Sequence, residues 1–315
     1  MIWLLAVMAL VLAVAAALWL FTWLTVLRVE AALPPNGRFI DVPGARLHVV
    51  ERGQGPSLLL VHGLAGQLRH FTYDLVDRLA AARYRVVAVD RPGSGYSVRA
   101  PGASAALSAQ ADMLAELIER LQLGRPIIVG HSMGGALALA LAQRHPERAS
   151  GLVLLAPLTH PVQEVHSAFN GLRIAKPWVR SAVAWTLAVP LSMVKRTEVL
   201  NVLFHPEAVA ADFATRGGGL LTLRPSHFIA ACADLAAIPD ELSDMVPRYS
   251  AMRLPVSILY GRGDRILDPL GQGEALAAKL PGATLTLVEG GHMLPITMPE
   301  RIAQFIREAA VRTQG

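Results

Sequence analysis

Short apolar runs alternate along this chain with longer segments of helical periodicity. The apolar runs are four to six residues long and occupy 57–61, 84–89, 126–129, 151–155, 256–260 and 284–288. The segments with helical periodicity are 70–82, 106–122, 133–144, 270–279 and 299–312. Because unbroken apolar strands need cover on both faces, the alternation predicts a mostly parallel sheet with helices on both sides.

A hairpin precedes the first of these runs. Residues 38–42 and 46–51 alternate between apolar and polar side chains, and Val42-Pro43-Gly44-Ala45 joins them. Alternation on either side of a Pro-Gly turn is typical of two antiparallel strands. We expect these strands at the edge of the sheet.

The alternation stops between residues 158 and 250, where the sequence is helical, apolar and irregular. Four prolines interrupt this stretch: Pro177, Pro190, Pro206 and Pro225. It predicts a helical cap inserted into one α/β core, which is formed by 38–157 and 251–315.

The N-terminal segment carries no charge from Ile2 to Leu27, and a helix of that length reaches ~39 Å, beyond the ~30 Å hydrocarbon core of a bilayer. Trp3 lies near one end, and Trp19 and Trp23 near the other, where interfacial aromatic residues are expected. We predict a transmembrane anchor over 1–30.

Residues 31–37 contain Pro34-Pro35-Asn36-Gly37 and are predicted to be an extended linker. Residues Val29-Glu30-Ala31 also fit a signal-peptide cleavage site, so removal of the segment stays open. We expect a single-pass anchor of the bacterial inner-membrane type. The arginines that follow the segment favour a cytoplasmic domain only weakly, and the side is left open.

Composition narrows the classes of molecule that the chain is expected to bind. The hydrophobic share is 53% and the net charge is +5, which comes from scattered arginines without a basic run, so nucleic-acid binding is not expected. Membrane lipid is the expected partner of the N-terminal helix, and the oligomeric state is left open. The only cysteine, Cys232, cannot form an intrachain disulfide. We expect no metal and no cofactor.

A nucleophile motif follows the third long apolar run. Gly130-His131-Ser132-Met133-Gly134 comes directly after Ile127-Ile128-Val129 and directly before a helical pattern. A G-x-S-x-G sequence between a strand and a helix places its serine on a sharp, strained turn. Ser132 is therefore the candidate nucleophile, and the Met133 N–H faces the position of a developing oxyanion.

The turn His62-Gly63-Leu64 follows the apolar run at 57–61 and precedes the first long helix. At this place in the order of elements the turn should supply a second oxyanion donor. We assign that role to the Leu64 N–H.

The base and the acid are expected on the loops after the last two strands. His292 follows Gly290-Gly291 after the run at 284–288, and the glycines let that loop turn inward. The preceding loop offers two carboxylates, Asp264 and Asp268. We choose Asp264 because it comes first after the strand, and its role is to fix the tautomer of His292 and to stabilise the imidazolium.

Taken together, these motifs resemble the α/β-hydrolase superfamily from about Arg38 to Arg312. The matching features are the HG-x turn, the D-x-P-G-x-G-x-S loop at 90–97, the GHSMGG elbow, the G-x-x-D acid loop and the GGH base loop. The resemblance implies an eight-stranded sheet, a cap between strands six and seven, and acyl-enzyme chemistry without a cofactor. In that loop Asp90 is expected to be structural.

Within the superfamily, Ser132 disfavours the epoxide hydrolases and haloalkane dehalogenases, whose nucleophile is an aspartate. His131 and Leu64 depart from the C–C bond hydrolases of aromatic degradation, which typically have asparagine before the serine and a more Gly-rich oxyanion loop. The GHSMGG form is similar to that of carboxylesterases and monoacylglycerol lipases, so we expect a small-molecule ester substrate, medium-chain or lipid-derived. C–C bond hydrolysis and cofactor-free haloperoxidase or perhydrolase activity on the same triad stay open as alternatives, whereas the intact Ser132, Asp264 and His292 argue against a non-enzymatic binding protein.

Overall fold

The computed structural model describes residues 1–313 and contains one mixed sheet. Its strands are β1 (Arg38–Val42), β2 (Ala45–Arg52), β3 (Ser57–Val61), β4 (Arg85–Val89), β5 (Val98–Arg99), β6 (Ile127–His131), β7 (Gly151–Leu155), β8 (Val256–Gly261) and β9 (Thr284–Val288). The sheet order is β1-β2-β4-β3-β6-β7-β8-β9, with β5 beside β2.

The helices alternate with these strands. They are α1 (Ile2–Ala32), α2 (Arg69–Thr72), α3 (Leu75–Ala81), α4 (Leu107–Arg120), α5 (Met133–Arg144), α6 (Pro177–Trp185), α7 (Ala188–Phe204), α8 (Pro225–Met245), α9 (Ala275–Lys279), α10 (Leu294–Thr297) and α11 (Pro299–Arg312). Helices α4 and α5 pack against each other, as do α3 and α11, and these two groups cover the sheet.

The predicted mostly parallel sheet is confirmed. From β4 through β3, β6, β7 and β8 to β9 the strands are parallel to one another, whereas β2 is antiparallel to β4 and forms the predicted antiparallel hairpin with β1. The eight predicted strands make up that path. The short β5 is a ninth strand that the sequence did not indicate, because two residues are too few to produce an alternating pattern.

Burial explains both the apolar strands and the helical periodicity. All five residues of β6 and of β7 are buried, and in register Val129 lies between Leu60 and Val153. In α4, Leu107, Ala111, Leu114 and Ile118 recur at intervals of four, three and four residues and are 0% exposed. Each buried leucine of this kind contributes roughly 1.5–3 kcal/mol.

The segment between β7 and β8 contains α6, α7 and α8. The C-terminal half of α8 belongs to the main core, because Ile238, Leu242 and Met245 are buried among its residues. Helices α6 and α7 lie outside that core. The division into a core and a cap at 158–250 stays a prediction.

Helix α1 is, within residues 1–313, the one helix long and apolar enough to cross a membrane by length and composition. It ends at Ala32, two residues beyond the predicted anchor. Its last turn packs onto the globular part: Val29 and Leu33 are buried against Leu221, and Glu30 accepts a hydrogen bond from Arg224 over 2.9 Å. The N-terminal helix therefore has a fixed junction with the rest of the chain.

Candidate active site

Ser132 lies at the sharp turn between β6 and α5. Its backbone has φ 55° and ψ −123°, a conformation that costs a non-glycine residue of order 1–3 kcal/mol. The turn is crowded, because a Cβ at Gly130 would clash with the Gly134 carbonyl and a Cβ at Gly134 would clash with the Val61 carbonyl. Glycine at both positions lets β6, β3 and α5 approach closely enough to present the Ser132 side chain at the end of the sheet.

His292 and Asp264 meet at the same end of the sheet. His292 lies on the loop after β9, Asp264 follows β8, and the His292 Nδ1 to Asp264 Oδ2 distance is 2.7 Å, with both side chains buried. The other oxygen of Asp264 accepts backbone N–H groups of Ile266 at 2.8 Å and Leu267 at 3.1 Å. With the carboxylate as acceptor, His292 Nδ1 donates and Nε2 is left for a proton from Ser132.

Asp268 has a different environment. Its carboxylate is exposed and accepts hydrogen bonds from the Gly271 N–H at 2.8 Å and the Leu270 N–H at 3.2 Å. These contacts cap the start of the next helical segment. Of the two carboxylates considered from the sequence, only Asp264 contacts His292.

A second histidine supports the His292 loop. His131 Nε2 donates a hydrogen bond to the His292 carbonyl oxygen over 2.9 Å. Burial, and then the proximity of His292, lower the pKa of His131 well below its usual value, so its ring is neutral. The residue before Ser132 thus ties the nucleophile turn to the loop that carries the candidate base.

The two expected oxyanion donors, Leu64 and Met133, line the cavity that also contains Ser132 and His292. Met133 is the first residue of α5, where a helix N–H has no intrahelical acceptor. A Cβ on Gly63 would lie 2.8 Å from the Ser132 Cβ, so the turn before Leu64 passes close to the serine. Because Leu64 and Met133 both lie beside Ser132, their two backbone amides can face one oxyanion.

Arg91 holds the turn that leads to Leu64. Its guanidinium is 0% exposed and donates to the carbonyl oxygens of His62 and Gly63, each over 3.0 Å. It also donates to Asp234 on α8 at 2.7 Å and to Gln110 on α4 at 3.0 Å. One buried cation therefore fixes the turn relative to two helices.

Replacing Arg91 with methionine should lower kcat by about tenfold and stability by about 3–5 kcal/mol, because the turn carbonyls and Asp234 lose a buried donor. Arg99→Met is the matched control, since Arg99 also pairs with Asp234 but, within residues 1–313, donates to neither turn carbonyl. Kinetics and thermal unfolding of both variants separate the two effects. Equal losses of kcat would contradict a positioning role for Arg91.

The cavity above Ser132 has a volume of about 600 Å³ and is lined mostly by apolar side chains from α7, α8 and the segments around them. Two buried histidines, His70 and His227, also line it. Burial is the largest cause that lowers the pKa of both rings, that of His70 to about 4, so both are neutral at pH 7.

Several of these residues were missed at the sequence level. His70 and His227 are lone histidines in helical segments, a pattern that usually indicates a satisfied polar residue. Asp234 had no local signal, since its partner Arg91 is 143 residues away. Arg91 itself adjoins Asp90, which accepts from the Leu68 and Tyr96 amides in its expected structural place.

This arrangement can perform nucleophilic acyl chemistry. A partly exposed serine on a strained turn, a buried histidine oriented by a carboxylate and nearby backbone donors are the parts that such chemistry needs. Within residues 1–313, no group of three or more histidine, cysteine or acidic side chains is placed to hold a metal ion.

Comparisons with known proteins agree with this fold. The family model of the alpha/beta hydrolase fold matches residues 56–299. A 2-hydroxy-6-oxononadienedioate/2-hydroxy-6-oxononatrienedioate hydrolase of Burkholderia vietnamiensis is 29% identical over 294 residues, which cover 90% of this chain and 98% of that protein.

Two solved structures are also similar. A thermophilic esterase from Thermogutta terrifontis has a TM-score of 0.67 and 26% identity, with 89% of this chain and 100% of that chain covered. A membrane phospholipase A described as a bacterial virulence factor has a TM-score of 0.67 and covers 100% of both chains; at 22% identity it shows a common fold alone.

Proposed function

The chain belongs to the α/β-hydrolase fold family, and we propose that it is a serine hydrolase of carboxylic esters with medium-length or lipid-derived acyl chains. Ser132 is the nucleophile, His292 the general base and Asp264 the acid that orients it. The observation that carries this proposal is the 2.7 Å contact between His292 and Asp264 beside Ser132, at the base of one apolar cavity.

In the proposed mechanism, His292 takes the hydroxyl proton of Ser132 as the oxygen attacks the ester carbonyl. The Leu64 and Met133 N–H groups bind the oxyanion of the tetrahedral intermediate. His292 then gives the proton to the leaving alcohol, which leaves an acyl-enzyme. Water, activated by His292, hydrolyses that ester and releases the acid and the free serine.

The cavity supports an apolar acyl group. Leu158, Val199, Leu200, Leu203 and Phe213 are among its lining residues, and no lysine or arginine is among the buried lining residues of the described chain. Each methylene group transferred from water into such surroundings contributes about 0.8 kcal/mol, close to fourfold in binding.

We therefore expect kcat/KM for p-nitrophenyl esters to rise from acetate to medium chain lengths, by about tenfold or more. The measurement is a series from two to twelve carbons under identical conditions. A steady fall from acetate onward would mean that the acyl pocket is closed, and the lipid-ester assignment would be wrong.

Carbon–carbon bond hydrolysis is the second candidate, and the Burkholderia vietnamiensis relative favours it. The name of that relative gives 2-hydroxy-6-oxo dicarboxylates as its substrates. Two carboxylates in an apolar cavity need cationic partners, and the cations that line this one, Lys195 and Arg196, are exposed. The ester assignment is therefore the stronger. Parallel assays of the ester series and a 2-hydroxy-6-oxo-dienedioate discriminate the two, and turnover of the diacid alone would reverse the assignment.

Membrane lipid is the proposed partner of α1, and we propose that this helix is a retained anchor. Residues 2–15 are exposed apart from partial burial at Ala15, as expected of a helix that is surrounded by the hydrocarbon core of a bilayer. The bacterial inner membrane remains the proposed location of the protein.

Deletion of residues 2–24 should release the protein from the membrane pellet into the supernatant after carbonate washing. This deletion stops short of Val29 and Leu33, because their burial against Leu221 joins α1 to the globular part. Activity on a soluble ester should stay within about twofold of the full-length enzyme, since no residue of α1 lines the cavity. A mature N-terminus near Ala32 would show a signal peptide instead, and a full-length protein that is already soluble would show that the segment is a core helix and not an anchor.

A further inference from the structure

The outer surface of α6 and α7 is unusually apolar. Trp178 is 70% exposed and Val194 is 82% exposed, and three neighbours in sequence are about half exposed. We call this set the cap surface: Trp178, Leu187, Leu191, Met193 and Val194. Large apolar side chains clustered on two consecutive exposed helices are typical of a surface that contacts another apolar phase.

The cap surface continues into the rim of the cavity. Leu191 and Met193 are exposed and also line the cavity, while Leu200 and Leu203 farther along α7 line it from within. All residues from 191 to 198 are exposed, so this part of α7 has little of the protein packed on it. Whatever covers the cap surface therefore also lies at the entrance to Ser132.

Helix α1 brings the cap surface to the level of a membrane. Trp19 stacks on Trp185, the last residue of α6, with ring centroids 6.1 Å apart, and it also stacks on Trp23 at 6.3 Å. A span of about 20 residues that begins at Ile2 ends near these tryptophans, which is where interfacial aromatic rings lie. Trp185 then lies at the same interface, two residues before Leu187.

Charge in this region suits an anionic surface. Between Glu164 and Glu198 the chain has no acidic residue, whereas it has five basic ones: Arg173, Lys176, Arg180, Lys195 and Arg196. Two of the three lysines in the sequence lie here. Cations beside exposed apolar side chains are the combination with which a protein rests on anionic lipid headgroups.

We propose that the cap surface lies on the anionic bilayer that α1 enters, so that ester substrates reach the cavity directly from the lipid phase. The proposal rests on the proposed anchor and deepens the proposed function, because it names lipid within the same membrane as the substrate source. Exposed apolar residues at the cavity rim thus serve as the contact with the bilayer.

A fluorescent label tests this contact in the full-length chain. An environment-sensitive NBD group is attached to Val194→Cys in a Cys232→Ala background, and the protein is reconstituted in vesicles of phosphatidylcholine with about one third phosphatidylglycerol. The matched control is Val311→Cys on α11, where the native valine is 72% exposed. Quenching is measured with nitroxide-labelled lipids.

The label at 194 should show blue-shifted emission and at least about twofold quenching by the nitroxide lipids, while the label at 311 stays unquenched. Equal, weak quenching at both positions would overturn the proposal. A blue shift without lipid quenching, together with disulfide formation between two unlabelled Val194→Cys chains on air oxidation, would show that a second copy covers the surface, which also overturns the proposal.

The same measurement in a Ser132→Ala background separates this proposal from the proposed function. Lipid quenching does not depend on turnover, so it should be unchanged there. If the labelled enzyme with Ser132 intact is quenched by lipid but hydrolyses no ester, the proposed function alone is refuted. If it hydrolyses esters but is not quenched, the membrane contact alone is refuted.

Discussion

Ser132→Ala should lower ester hydrolysis by about 10³-fold or more and leave the fold intact. The substitution removes only the hydroxyl group, and alanine has no oxygen to attack the carbonyl. The alanine also keeps a Cβ in the strained turn, where the serine already has one, so the backbone meets no new clash. Steady-state kinetics and thermal unfolding of the purified variant measure both effects.

Ser192→Ala is the matched control for this result. Ser192 lies on α7 and lines the same cavity, so its replacement removes a hydroxyl near the substrate without touching the β6–α5 turn. Its kcat/KM should stay within about threefold of the wild type. If Ser132→Ala retained full activity, or if both variants lost it equally, Ser132 would not be the nucleophile.

Asp264→Asn should lower kcat by about 10²-fold or more. An amide can donate through its nitrogen to His292 Nδ1, which would place the imidazole proton on the nitrogen that must face Ser132. It would also remove the negative charge that stabilises the imidazolium. The pH dependence of kcat, measured with the same medium-chain ester, reports both effects.

Asp268→Asn provides the comparison within the same loop. Its carboxylate is exposed and bonds only to backbone N–H groups of Leu270 and Gly271 within the described chain, so kcat should change by less than about threefold. A far larger loss for Asp268→Asn than for Asp264→Asn would reverse the choice of acid.

The arrangement of the sheet and the position of the candidate site residues could be predicted because their signals are local. Ser132 is flanked by a strand and a helix that can be read in the adjoining residues, and His292 and Asp264 follow apolar runs of strand length. Parallel strands bring their carboxyl ends to one edge of a sheet. That rule alone places the three side chains near one another.

What could not be predicted depends on contacts between distant segments. The buried pair of Arg91 and Asp234 joins a loop after β4 to α8, and no local pattern marks an aspartate in a helix as the partner of a particular arginine. His70 and His227 reach the cavity from α2 and α8 for the same reason. The junction of α1 was missed because Val29 looked like one more apolar anchor residue until Leu221 covered it.

Covalent capture by a fluorophosphonate, located by peptide mass spectrometry, tests the central claim most directly, because the probe forms a stable bond only with an activated nucleophile. The account predicts one adduct per chain, on Ser132, and its loss in Ser132→Ala with labelling unchanged in Ser192→Ala. An adduct on another residue, or equal labelling of the Ser132→Ala variant, would contradict it.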